Sequence, residues 1–165
     1  MALALGTNLG DRLANLQRGL ALLAGDVLVE RGSSLYETAP WGVVDQPHFL
    51  NAVVAGSTGL GPHDLLRRAK AIEAEVGRTP GARWGPRLLD VDILYYDDLL
   101  IDDPDLQIPH PGIPGRAFVL VPLAEVMPAH RDSRTGRTVA EMLAEIDRSG
   151  VRYTAGADWV RTKEG

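Results

Sequence analysis

Residues Leu88–Tyr96, LLDVDILYY, constrain the fold more than any other stretch of the chain. Apolar, β-branched and aromatic residues dominate it, as in a strand, yet Asp90 and Asp92 interrupt it. Alternate residues of a strand share a face, so Leu89, Val91, Ile93 and Tyr95 are expected to face a core. Asp90 and Asp92 then point the other way, about 7 Å apart along the strand. Leu94 and Tyr96 continue the acids' side, so that side is not uniformly wet. Asp is depleted in strands, and two on one face require either full solvation or a cation.

The elements around this strand alternate. ALALG, at residues 2–6, reads as a short buried strand. Leucines at 9, 13, 16, 20 and 23 follow the four-and-three spacing of one helix face, with Thr7 or Asn8 as the expected cap. DVLVERGSSLYE, at 26–37, reads as a strand with Gly32 as a candidate bulge, and FLNAVVAGST, at 49–58, as another. Pro62 and Asp64 suit the first turn of a second helix, whose inner stripe is Leu65, Ala69, Ile72 and Val76. Thr138 and Glu141 form a capping box ahead of a short third helix.

The order β-α-β-β-α-β, with additions at the end, predicts an α+β fold. Its core is a ferredoxin-like antiparallel sheet flanked by helices in three α/β/α layers. One domain over residues 1–165 is expected, with a polar tail from about 150 of uncertain order. Three Pro/Gly-rich stretches exceed what connection requires and read as functional loops.

Composition narrows the class. A net charge of -5 argues against nucleic acid as a partner. Cysteine is absent, which excludes disulfides and thiolate metal sites. MALALGTNLG lacks the basic and long apolar regions of a signal peptide, and no apolar run approaches the roughly 20 residues that span a bilayer. No membrane partner and a cytoplasmic location are therefore expected. No stripe stands out as an interface, so a monomer is expected. Lys70 and Lys163 are the only lysines, so an anion site must be built from arginine.

Two carboxylates at i and i+2 suit Mg²⁺, a hard ion that completes its shell with phosphates. Arg87, three residues before Asp90, adds the positive charge that phosphoryl transfer uses. A solvent-facing strand side remains the bland alternative for the acid pair. A nucleotidyltransferase also uses such a strand, but Gly77-Arg78-Thr79-Pro80 lacks that class's Gly-Ser turn and following helix. A non-catalytic ligand-binding module would need neither the acids nor the arginines.

RWGPRLLDVDILYY resembles the signature of the 6-hydroxymethyl-7,8-dihydropterin pyrophosphokinase family. ALGTNLGDR, YETAPWGVVDQPHFLNAVV and IPHPGIPGRAFVLVPLAEVMP are similar to further motifs of that family, in the same order, so the likeness runs from about Ala2 to Pro128. The resemblance implies transfer of pyrophosphate from ATP to the pterin hydroxymethyl group, releasing AMP, in folate biosynthesis. It implies two Mg²⁺ on Asp90 and Asp92, with ATP as co-substrate. Asp92, Arg78 and Arg87 would be catalytic. Glu73, Trp84, Arg87, His110 and Arg116 would contact ATP. Gly6, Thr38, Ala39, Trp41, Phe49, Asn51 and Phe118 would form the pterin pocket. Ala39 stands where the family commonly has proline, and Phe49 where it often has tyrosine. The loop from Gly77 to Arg87 is expected to be mobile without ligand.

Overall fold

The computed structural model describes residues 1–39, 47–77 and 88–161. The first strand, β1 (Ala2–Thr7), leads into α1 (Arg12–Leu23). Asp11 caps α1, accepting a hydrogen bond from the Ala14 N–H at 3.0 Å. This replaces the expected cap at Thr7 or Asn8, because β1 runs through Thr7 and Leu9 precedes the helix. Leu16, Leu20 and Leu23 are buried while Leu13 is 41% exposed, so the inner stripe is narrower than the leucine spacing implies.

Residues 26–37 fold as two strands instead of one, β2 (Val27–Gly32) and β3 (Leu35–Thr38), broken at Ser33 and Ser34. Both pair antiparallel with β4 (Phe49–Thr58), β2 at its C-terminal half and β3 at its N-terminal half. The buried Ser33 hydroxyl accepts from the Val53 N–H at 2.9 Å, which keeps β4 satisfied across the break. Helix α2 (Pro62–Val76) buries Leu65, Ala69, Ile72 and Val76, the four positions that its periodicity predicts.

The acid-bearing strand β5 (Asp90–Tyr95) lies at the sheet edge beside β1. The order β5-β1-β4-β3, antiparallel at every pairing, is the ferredoxin-like arrangement. A further strand, β8 (Val151–Ala155), extends it beyond β3. It falls in the tail whose order the sequence leaves uncertain.

Two other elements were not expected. A two-residue hairpin, β6 (Ile101–Asp102) and β7 (Gln107–Ile108), organises the second Pro-rich loop. Helix α3 (Ala117–Val126) holds Pro122 inside it and buries Val119, Leu120, Leu123 and Val126. The predicted capping box is present at α4 (Val139–Ala144), where the Thr138 hydroxyl accepts from the Glu141 N–H at 3.1 Å.

The two sheet faces have separate cores. Leu3, Leu5, Leu50, Ala52, Val54, Val91 and Ile93 pack with α1 and α2. Ala2, Val53, Ala55 and Leu94 pack on the other face with α3 and α4. Each fully buried leucine contributes about 1.5–3 kcal/mol by leaving water. Alternation along β5 holds up to Leu94 and then breaks. Ala2 pairs with Tyr95 but Leu3 pairs with Ile93, so Leu94 is an extra residue, a bulge. Tyr95 therefore joins the α3/α4 core and Tyr96 packs against the other one, the reverse of the expected faces. No helix among the described residues is long and apolar enough to cross a membrane.

Candidate active site

Register places the candidate residues on one sheet face. Asp90 pairs with Gly6, Gly6 with Asn51, and Asn51 with Tyr36. One rung along, Thr38 pairs with Phe49; one rung the other way, Asp92 pairs with Ala4. Partners in register and residues two apart along a strand share a face. Asp90, Asp92, Gly6, Asn51, Phe49 and Thr38 are thus on the face that α3 and α4 cover further along. Where the helices stop, a cavity of about 1120 Å³ opens over these residues.

His110 and Arg116, from the chain that leads into α3, and Phe118, in its first turn, close the cavity. The His110 N–H donates to the Leu94 carbonyl at 3.0 Å, which fastens this loop to β5. The Gly112 N–H donates to His110 Nδ1 at 3.0 Å, so Nδ1 is the acceptor and Nε2 carries the proton of the neutral ring. Burial lowers the His110 pKa most; Arg116 lowers it further and Asp92 opposes both. The Arg116 side chain lies back over Gly112, where a Cβ would come within 2.7 Å of Nε. Its Cζ stands 6.0 Å from the Phe118 ring centroid, a cation–π distance.

Asn51 Nδ2 donates to Thr38 Oγ1 at 2.9 Å. That leaves the Thr38 hydroxyl proton and Asn51 Oδ1 to face a ligand. Gly6 gives Asn51 its room, since a Cβ there would meet Oδ1 at 3.1 Å. The cavity therefore has two chemical ends. Carboxylates with a cation and a histidine stand at the β5 end, and aromatic faces with an amide and a hydroxyl stand towards β3.

Ala39 also lines the cavity. Glu73 is not brought to it: from α2 its Oε1 accepts the Val91 N–H at 2.7 Å, between the two aspartates. Trp41, Arg78, Trp84 and Arg87 lie outside the described residues, as does the stretch 78–87 on which the expected loop mobility falls. Residues that sequence reasoning missed are Ile146, Asp147, Ser149, Gly150 and Val151, which line the same cavity. No local pattern marks them, because what brings them there is the pairing of Val151 with Thr38, over a hundred residues away in the chain.

The donor set fits a hard divalent cation. Two half-buried carboxylates share one face at the cavity's edge, and two such groups leave most of an octahedral shell to phosphate and water. Among the described residues, the one cluster of three potential ligands is elsewhere, His63, Asp103 and Asp105, where His63 Nε2 already meets Asp103 Oδ2 at 2.7 Å.

Residues 2–128 match the family described as 7,8-dihydro-6-hydroxymethylpterin-pyrophosphokinase (HPPK). The chain is 46% identical over 151 residues to the 2-amino-4-hydroxy-6-hydroxymethyldihydropteridine pyrophosphokinase of Methylorubrum extorquens, covering 90% of this chain and 94% of that one. It is 43% identical to the protein of that name in Bacillus subtilis, covering 91% of this chain and 87% of the relative. The mitochondrial folate synthesis bifunctional protein of Arabidopsis thaliana is 48% identical over 82% of this chain, which spans only 24% of that longer protein. A crystal structure of wild-type Plasmodium falciparum HPPK-DHPS with SDX-DHP shares the fold, with TM-score 0.72 and 17% identity over 87% of this chain and 43% of that one.

Proposed function

The chain belongs to the 7,8-dihydro-6-hydroxymethylpterin-pyrophosphokinase family, and on that premise we propose that it transfers pyrophosphate from ATP to the hydroxymethyl group of 6-hydroxymethyl-7,8-dihydropterin. The products are the pterin diphosphate and AMP, within folate biosynthesis. One observation carries the reading: a single cavity joins an acidic, cationic end to an aromatic, hydrogen-bonding end on one sheet face.

The hydroxymethyl oxygen attacks the β-phosphorus, the bond from that phosphorus to the oxygen of the α-phosphate breaks, and the hydroxyl proton is released. Asp90 and Asp92 would hold the Mg²⁺, two ions in this reading, and Asp92 also orients the attacking hydroxyl. Bound there, Mg²⁺ neutralises the triphosphate's charge. Arg116 supplies a fork of donors to the phosphate oxygens. Neutral His110 donates from Nε2 to the same oxygens, its ring held by Gly112 and its backbone by Leu94. Arg78 and Arg87 add charge, and Trp84 contributes to the nucleotide side, on the strength of the sequence resemblance. Phe49 and Phe118 offer flat faces to the bicycle. Asn51 and Thr38 meet its polar edge, and Gly6, Ala39 and Trp41 complete that pocket.

Incubation with Mg-ATP and the pterin is expected to release AMP only when the pterin is present. Folded protein that yields none overturns the proposal, and release of inorganic pyrophosphate points instead to a nucleotidyltransferase. Asp90→Ala and Asp92→Ala should each lower turnover roughly 100-fold or more, the scale of losing one preorganised electrostatic group. Either variant retaining near-full rate refutes the metal role.

A further inference from the structure

The cavity's far wall comes from beyond the part of the chain that the family match covers, residues 2–128. Val151 pairs with Thr38 and Thr38 with Phe49, so the three form one rung and share a face. From Asp90 on β5 to Val151 on β8 is four strand steps, roughly 19 Å at the usual spacing. The acids and Val151 therefore bracket the cavity from opposite edges of the sheet.

The turn ahead of Val151 has a fixed shape of its own. The Ser149 N–H donates to Asp147 Oδ1 at 2.9 Å, and the Val151 N–H donates to the Arg148 carbonyl at 3.1 Å. Ile146, where the turn leaves α4, packs against the same core cluster as Phe118. Gly150 lines the cavity, and a Cβ added to it would meet nothing within 4 Å. The open volume is thus bounded by an anchored apolar side chain and by a position with no side chain.

We propose that the α4–β8 turn, residues 146–151, is the outer wall of the heterocycle's binding site and a specificity-determining segment. This rests on the pyrophosphokinase reading. A substrate whose hydroxymethyl oxygen reaches Asp92 has its ring system directed towards Phe49, Thr38 and this wall. Ile146 and Val151 supply apolar contact beside Phe118 and Phe49, and the bare Gly150 leaves the ring its room. ATP, held by charge at the other end, does not meet the turn.

Two variants test this with opposite steric signs: Gly150→Leu adds bulk where the fold leaves open space, and Ile146→Ala removes an apolar contact. Binding of the dihydropterin is followed by its own fluorescence with a non-hydrolysable ATP analogue saturating, and binding of the analogue by calorimetry. Wild-type protein is expected to bind both. Each variant should weaken the dihydropterin at least tenfold and change analogue affinity by less than twofold. If both variants bind the dihydropterin like wild type, the wall has no part in recognition and the proposal falls. If both ligands weaken together with a lowered urea midpoint, the turn is only structural and the proposal also falls. Wild-type protein that binds no dihydropterin overturns the underlying reading, and that result is seen before any variant is made.

Discussion

Glu73 holds its Oε1 on the Val91 N–H at 2.7 Å, with Lys70 Nζ 3.3 Å from its other oxygen. β5 is the edge strand of the described sheet and Val91 is buried, so this carboxylate gives a buried edge-strand amide its partner. Glu73→Ala should cost about 1–3 kcal/mol in urea denaturation, the penalty for a buried donor left unmade. Burial raises the Glu73 pKa; the Val91 hydrogen bond and Lys70 offset part of this, and Asp90 adds to it. With the folded pKa above the unfolded 4.5, its contribution to stability is complete below pH 4.5 and declines as pH rises through the folded value. Glu73→Gln keeps an acceptor and removes the charge. The stability of wild type relative to Glu73→Gln should therefore fall as pH rises above 4.5, and a difference that stays flat or grows refutes this. The sequence shows Asp90 and Asp92 plainly, because two acids violate the strand's own preference. It cannot show that Glu73 serves their backbone, since an acid on a helix flank obeys every local rule.

Elements were legible where their periodicity had one face to fill. Helix α2 shows its stripe because one side meets solvent, whereas α3 is apolar almost all round and carries Pro122, so no stripe emerges. The β6–β7 hairpin is equally silent, being held from outside by Arg134. Its guanidinium donates to the carbonyls of Ile101, Ile108 and Pro109 at 3.1–3.4 Å and pairs with Asp102 at 2.8 Å. Arg134 thereby fixes the chain that delivers His110, and Arg134→Ala should lower kcat/KM for ATP several-fold while leaving dihydropterin affinity near wild type. An unchanged ATP dependence would show that the hairpin positions itself. At the junction of β2 and β4, Gly56 faces the Leu28 carbonyl, which a Cβ would approach to 1.9 Å. Both contacting segments are backbone, so Gly56→Ala should cost about 3 kcal/mol, the upper end for overpacking, as read by thermal unfolding. That glycine sits beside the register shift between Val29 and Arg31, a bulge the sequence suggested at Gly32 instead.

Across the whole molecule, the sheet separates stability from chemistry. Among the described residues, one face is filled by α1, α2 and the turn that carries Trp159; on the other, α3 and α4 cover one part and the cavity opens over the rest. Order in the last described residues follows from the first face. Trp159 is 5% exposed in the α1/α2 core, and its Nε1 donates to the Ser33 carbonyl at 2.8 Å. Gln17 Nε2 reaches the Trp159 carbonyl at 3.4 Å, and Gly32 lies so close to Val160 that a Cβ would come within 2.3 Å of it. The break between β2 and β3 is thus the socket for the chain's end, a contact across 126 residues that no local pattern could announce. Trp159→Ala should cost about 3–5 kcal/mol by emptying that socket. Trp159→Phe, which keeps most of the ring volume but leaves the Ser33 carbonyl without its donor, should cost about 1–3 kcal/mol. Because the socket and the cavity are on opposite faces, KM for both substrates should stay within twofold of wild type in either variant, assayed well below its melting temperature. A large KM change in Trp159→Phe, with the protein folded, would mean that the two faces are coupled through β3 and that the separation argued from the two cores is wrong.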